Sequence, residues 1–186
     1  MKQPYFSTAM ITKISLCIAL LIVSGFIRFP LPMTPSPVSA QTLVVNLTAL
    51  ILSPMQAFVT IGIFLLMGLI GIPVFGGSGG ISSFLGPNGG FIIGFLFAAW
   101  AISFANQVLK QVIKNHSIRY IVVTIVVGMP IIYLFGTVFM CLVLQMDVRA
   151  ALMAAVVPFI VGDVIKCIAA SAVALALNRA LSRQLS

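Results

Sequence analysis

Two ionisable residues of this 186-residue chain, Asp163 and Lys166, lie in the apolar run Pro158-Phe159-Ile160-Val161-Gly162-Asp163-Val164-Ile165-Lys166. Residues three apart on a helix share a face. The pair can therefore neutralise itself, or offer a carboxylate acceptor and an ammonium donor to a polar ligand in a dry pocket. Each such group costs about 2.5 to 3.5 kcal/mol in hydrocarbon even on the lenient insertion scale, which marks it as a functional candidate. The competing reading is an ion pair that only fixes helix packing, a task apolar residues perform at lower cost. The second candidate is the glycine loop Gly76-Gly77-Ser78-Gly79-Gly80, followed by Gly86-Pro87-Asn88-Gly89-Gly90 at the start of an apolar run. Glycine lets backbone approach a ligand closely, and Asn88 places an amide with donors and an acceptor at the helix entrance. Neither phosphate-loop spacing is present and no basic residue lies nearby, so this is not a nucleotide loop. A flexible connector is the plainer alternative, although Gly90 and Gly94, four apart, permit close helix packing.

Equipment for catalysis is lacking. Asp147, the only other acid, falls in a loop, and Ile160 stands where an intramembrane aspartyl protease motif needs glycine. His116 is alone in a basic loop, and Cys17, Cys141 and Cys167 sit singly in apolar runs without metal-ligand spacing. No serine or cysteine triad is evident. The chain reads as a protein that is not an enzyme and uses no metal. Tyr133 and Trp100 offer aromatic walls to a pocket, although aromatics in membrane helices more often serve packing or anchor the interface. Ser15 and Ala19 form a small-xxx-small pair that admits another helix, with an internal contact as the equal alternative.

The elements that position these residues follow from composition. The chain is 61% hydrophobic and carries only 10 Lys or Arg and 2 Asp or Glu, against roughly a quarter charged residues in a soluble domain. Its main solvent is lipid. The net charge of +8 is scattered singly, which argues against nucleic acid and for topological marking of the cytoplasmic side. Five apolar runs, 14–27, 57–75, 91–109, 120–144 and 150–177, read as membrane helices. A sixth, 42–52, reaches only about 16 Å as a helix and needs neighbours to cross. Pro30, Pro32, Pro35 and Pro37 exclude a helix between positions 28 and 41, so that stretch is a rigid extended loop.

Lys110, Lys114 and Arg119 lie two crossings before Arg179 and Arg183. Lys2 and Lys13 join them on the cytoplasmic side only if the weak run spans. The expectation is a single all-α integral membrane domain over residues 1–186: six transmembrane helices in a compact bundle with both termini cytoplasmic. Arg28 then belongs to an external loop. A cleaved signal peptide competes for the N-terminus. Its small-residue site Val38-Ser39-Ala40, however, lies about 13 residues beyond the apolar core and past four prolines, and the helix is retained.

With these residues in hand, the sequence resembles the BioY family, the biotin-specific S components of energy-coupling factor (ECF) transporters. The marks are Phe29-Pro30-Leu31-Pro32, Gln41-Thr42-Leu43, Gly71-Ile72-Pro73-Val74-Phe75, Gly86-Pro87-Asn88-Gly89-Gly90-Phe91, and Pro158-Phe159 with Gly162-Asp163 and Lys166. Asn88 departs from an expected Thr, and Ser15 from the usual Ala. The resemblance implies a prokaryotic, multi-pass plasma-membrane protein that captures biotin from outside and has no ATPase of its own. Its partners would be a T subunit, docking on Ser15 and Ala19 of the first helix, and two cytoplasmic ATPases. Biotin is the transported ligand, not a cofactor. Its implied site comprises Asp163, Lys166, Asn88, Gly89, Gly90, Gln41 and Tyr133. Asp163 can accept from a ureido N–H, and Lys166 can donate to the ureido oxygen or pair with the carboxylate. Asn88 and the backbone of Gly89 and Gly90 can bond either polar end, and the 28–41 loop helps to close the pocket from outside. The rival reading is a stand-alone ion-coupled carrier with Asp163 and Lys166 as coupling groups. Inverted repeats would favour it, and none is found.

Overall fold

A computed structural model describes residues 8–30, 32 and 34–184; Lys2 and Leu31 lie outside them. In chain order the elements are α1 (Thr8–Phe26), β1 (Arg28–Phe29), β2 (Val38–Ser39), α2 (Gln41–Ile51), α3 (Pro54–Leu69), α4 (Ile81–Leu85) and α5 (Gly89–Val108). They continue with α6 (His116–Val122), a π-helical turn (Val123–Gly128), α7 (Met129–Val143), α8 (Val148–Ala155) and α9 (Ile160–Gln184). Four stretches are long and apolar enough to cross a membrane: Thr8–Phe26, Gly89–Val108, His116–Val143 and Ile160–Ala180. The helices α2 and α3 are apolar but shorter.

Short α2 occupies the centre of the bundle. Residues Thr42, Val44, Val45, Asn46, Leu47 and Thr48 are all buried, and the helix packs against α9, α5 and α1. Neighbours thus surround a segment too short to satisfy a hydrocarbon slab alone. Its break from α3 is covered from α5, where the Ser103 hydroxyl donates to Leu52 O at 2.7 Å. The next helix starts earlier than hydropathy predicts because Pro54 suits a first helical position and the Gln56 side chain accepts from Ser53 N at 3.2 Å. It also ends earlier, at Leu69, ahead of Gly71 and Pro73.

The close partners α5 and α7 meet over glycine. A Cβ on Gly90 would collide with Phe135 O and Phe139 Cβ, and one on Gly94 would lie 3.1 Å from Phe135 Cβ. Below that contact the chain widens into the π turn, where Met129 N–H donates to Thr124 O, five residues back. Pro130 follows one residue later; it has no N–H to donate to Val126, and the wider winding absorbs the lost bond.

Two expectations change. The 28–41 loop carries a short antiparallel ladder, Arg28 opposite Ser39 and Phe29 opposite Val38. The last apolar run is not one helix: α8 and α9 are separated by residues 156–159, around Pro158, because proline can neither donate to the preceding turn nor fit against it. At the other end of the bundle Arg119 is buried, donating from Nε to Asn106 Oδ1 at 2.8 Å and from Nη1 to Ile113 O at 2.9 Å.

Candidate ligand-binding site

Chain direction gathers one end of the bundle into a cavity of about 330 Å³. The last turn of α1 reaches it through Gly25, and α2, α5 and α9 begin there with Gln41, Asn88 and Asp163. Three helices therefore start beside the same space, where the positive ends of their dipoles favour acceptors and negative charge. The cavity falls in the size range of small-molecule sites, about 300 to 1,000 Å³. Its apolar wall is aromatic: Phe91 leans on Phe159 with ring centroids 5.8 Å apart, and Phe75 stands edge-on between Phe64 and Phe84.

The break at Pro158 places Asp163 in the first turn of α9, where the helix dipole supports a carboxylate. Asp163 is 3% exposed. Its Oδ1 accepts from Lys166 Nζ at 2.8 Å and its Oδ2 from the Tyr133 hydroxyl at 2.9 Å. Each oxygen has two lone pairs, so one on each remains for a ligand. The Lys166 ammonium uses one of its three donors on Asp163. The pair is thus held in place and still offers an acceptor and donors on one face.

Gln41, at the start of α2, is buried and its Nε2 has no hydrogen-bond partner among the described residues. An orphaned buried donor costs about 1 to 3 kcal/mol, and this one belongs to a residue of the cavity wall. Asn88 caps α5 by position but makes no side-chain capping bond, which leaves its amide free beside the cavity it lines.

The remaining expected site residues lie elsewhere. Gly89 and Gly90 are absent from the cavity wall: a Cβ on Gly89 would strike Phe84 O, and one on Gly90 the backbone of α7. The structure gives both a packing role, because a side chain at either position would push α5 off its neighbours. Tyr133 is not a wall residue either; α7 turns it toward α9, and it reaches the site through Asp163. Ser15 and Ala19 share the outer face of α1 and are exposed, while Ile14, Cys17 and Leu21 face inward.

The glycine loop is built, not slack. Phe75 N–H donates to Ser78 O at 3.0 Å, Ser78 Oγ donates to Phe75 O at 2.8 Å, and Gly80 N–H donates to Gly68 O at 2.7 Å. From the 28–41 loop, Ser36 Oγ donates to Pro87 O at 3.4 Å, so two loops meet over the cavity. Sequence reasoning missed one wall residue of consequence, Arg28. The 28–41 loop was expected to help close the pocket from outside, but the charge of Arg28 marked only that loop's side of the membrane, and nothing in its neighbours' spacing signalled that the ladder with Ser39 would bring it to the rim.

The chain is similar to known proteins along nearly its whole length. The BioY family model matches residues 1–183. The biotin transporter BioY2 of Lactococcus lactis subsp. cremoris is 38% identical over 173 residues, 92% of this chain and 91% of that protein. The probable biotin transporter BioY of Bacillus subtilis is 36% identical over 172 residues, 91% and 90% of the two chains. Among solved structures, the S component for biotin from an ECF-type ABC transporter superposes with a TM-score of 0.86 at 27% identity, over 96% of this chain and 95% of that one. The S component of a bacterial ECF transporter, at 17% identity and a TM-score of 0.59 over 96% and 98% of the chains, shares the fold.

Proposed function

The chain belongs to the BioY family, and from that premise we infer that it is the substrate-binding S component of an ECF transporter, with biotin as its ligand. It is a transport protein and not an enzyme. The observation that carries the reading is the cavity, where a carboxylate and an ammonium 2.8 Å apart share a wall with the unpaired amide of Gln41. Biotin presents two ureido N–H donors, a ureido oxygen, an apolar sulfur ring and a carboxylate. A free lone pair of Asp163 accepts a ureido N–H, while Lys166 donates to the ureido oxygen. The Gln41 amide and Asn88 supply further polar partners, and the aromatic wall of Phe75, Phe91 and Phe159 takes the ring.

Six crossings with both termini cytoplasmic account for the basic residues, if α2 and α3 cross with their neighbours' help. The cavity then opens outward, and the chain is a multi-pass protein of a prokaryotic plasma membrane. Delivery inward needs an energy source, since no nucleotide motif is present. A T subunit docking on Ser15 and Ala19, with two ATPases beneath it, would supply it. Isothermal titration of the detergent-solubilised protein with biotin tests the reading. Saturable binding with a stoichiometry near one is expected, and no heat at micromolar ligand would overturn it.

A further inference from the structure

The charges of the cavity do not balance. Asp163 and Lys166 cancel one another at 2.8 Å, which leaves the guanidinium of Arg28 as the one charged group of the wall without an opposite charge among the described residues. Arg28 is an exposed residue at the rim of the cavity, and its side chain has no hydrogen-bond partner among the described residues; its backbone fixes its place. Its backbone pairs with Ser39 in the ladder, and its Nη1 lies 3.3 Å from where a Cβ on Gly76 would stand. Gly76, at φ +61°, makes the turn and lets the backbone oxygen of Gly25 approach, where a Cβ would collide with it; the guanidinium lies just beyond that contact. Hydroxyls of Ser39, Ser82 and Ser83 and the amide of Asn88 line the same cavity, whereas its single carboxylate, Asp163, is already paired with Lys166.

We propose that Arg28 is the specificity-determining residue for the acid end of the ligand. It receives the carboxylate of a ureido acid whose ring lies against Asp163 and Lys166, and so selects the free acid over its amides and esters. The inference rests on the biotin reading above and deepens it. A guanidinium and a carboxylate match as a two-pronged pair of charge-assisted bonds, and a monoanion brings the wall to neutrality. A primary amide of the same size accepts one guanidinium N–H through its oxygen, turns an N–H toward the second, and carries no charge to offset Arg28. Biotin joined through its carboxyl group to an amine is discriminated against on the same grounds.

The test is a titration of the full-length purified protein and of Arg28→Gln and Arg28→Lys with two probes, biotin and biotinamide, which differ in charge but hardly in shape. The wild type is expected to bind biotin about tenfold to a hundredfold more tightly than biotinamide, the range of one charge-assisted hydrogen bond. Arg28→Gln should lose that preference, holding both ligands with similar affinity, and Arg28→Lys should keep part of it. Equal affinity of the wild type for the two probes would overturn the proposal while leaving the biotin reading intact. So would an Arg28→Gln protein that loses both ligands equally or keeps the full preference. If Arg28→Gln does not fold, the wild-type ratio alone decides. Binding of neither probe by the wild type would instead remove the reading on which the proposal rests.

Discussion

Replacing Asp163 by Asn, Lys166 by Met, and then both together separates a ligand site from an ion pair that only packs helices. Asp163→Asn keeps the shape and an oxygen for the Tyr133 hydroxyl, but turns an amide N–H toward Lys166, whose side chain is only 15% exposed. Breaking a buried pair by removing one partner costs about 3 to 5 kcal/mol. The partial exposure of Lys166 puts this site at the lower end, about 3 kcal/mol, or roughly 6 to 12 °C of melting temperature for a chain of this size. Lys166→Met leaves Asp163, 3% exposed, with only Tyr133, and should cost at least as much. The double variant leaves no unpaired charge, so melting should return most of the way to wild type. Biotin affinity should not return with it. A hydrogen bond to a charged group is worth about 1.5 to 3 kcal/mol, so each single variant should bind biotin at least tenfold more weakly, and the double at least as weakly as either. Melting curves in one detergent and calorimetric titration of the same preparations give both readouts. A double variant that melts like the wild type and binds biotin within threefold of it would refute the ligand role and leave the pair as packing.

Further outcomes follow from single contacts. Tyr133→Phe removes the hydroxyl that donates to the Asp163 carboxylate at 2.9 Å; such a bond is worth about 1.5 to 3 kcal/mol, and because it acts on biotin only through Asp163, part of it should show in the same titration as roughly twofold to tenfold weaker binding. Gly90→Ala drives a methyl group into the backbone of α7 and should lower the melting temperature sharply. Gly162→Ala meets nothing within 4 Å on a helix and should raise stability by up to about 1 kcal/mol through backbone entropy; destabilisation there would show that the open space beside α9 is needed. Ser15→Trp or Ala19→Trp adds bulk to the exposed face of α1 and should abolish copurification with a T subunit while sparing biotin binding. Loss of biotin binding instead would make the pair an internal contact.

Much of the fold was legible because hydrocarbon is an undemanding solvent to read against. Runs of apolar residues marked the four long spans, and prolines marked the loop after α1. Asp163 and Lys166 stood out since charge is rare where the surroundings are apolar. The loop glycines were harder: Gly76 and Gly90 look alike in sequence, yet one makes room for the end of α1 at Gly25 O and the other for α7 at Phe135 O. Only the neighbour across the gap distinguishes them, and that neighbour is more than forty residues distant in each case.

By itself the sequence determined the class of solvent, the helical content, the acid and base that stand as site candidates, and a family likeness carried by short motifs. Each of these depends on local composition or on spacing within one element. The tertiary structure decided how the site is built. Pro158 ends a helix, so Asp163 meets the cavity from a first turn instead of from mid-span. Tyr133 works behind Asp163 and not in the wall, and a two-residue ladder brings Arg28 from its loop to the rim. These outcomes depend on which elements end at the same place, and a one-dimensional pattern does not contain that information because it arises from contacts between residues far apart in the chain.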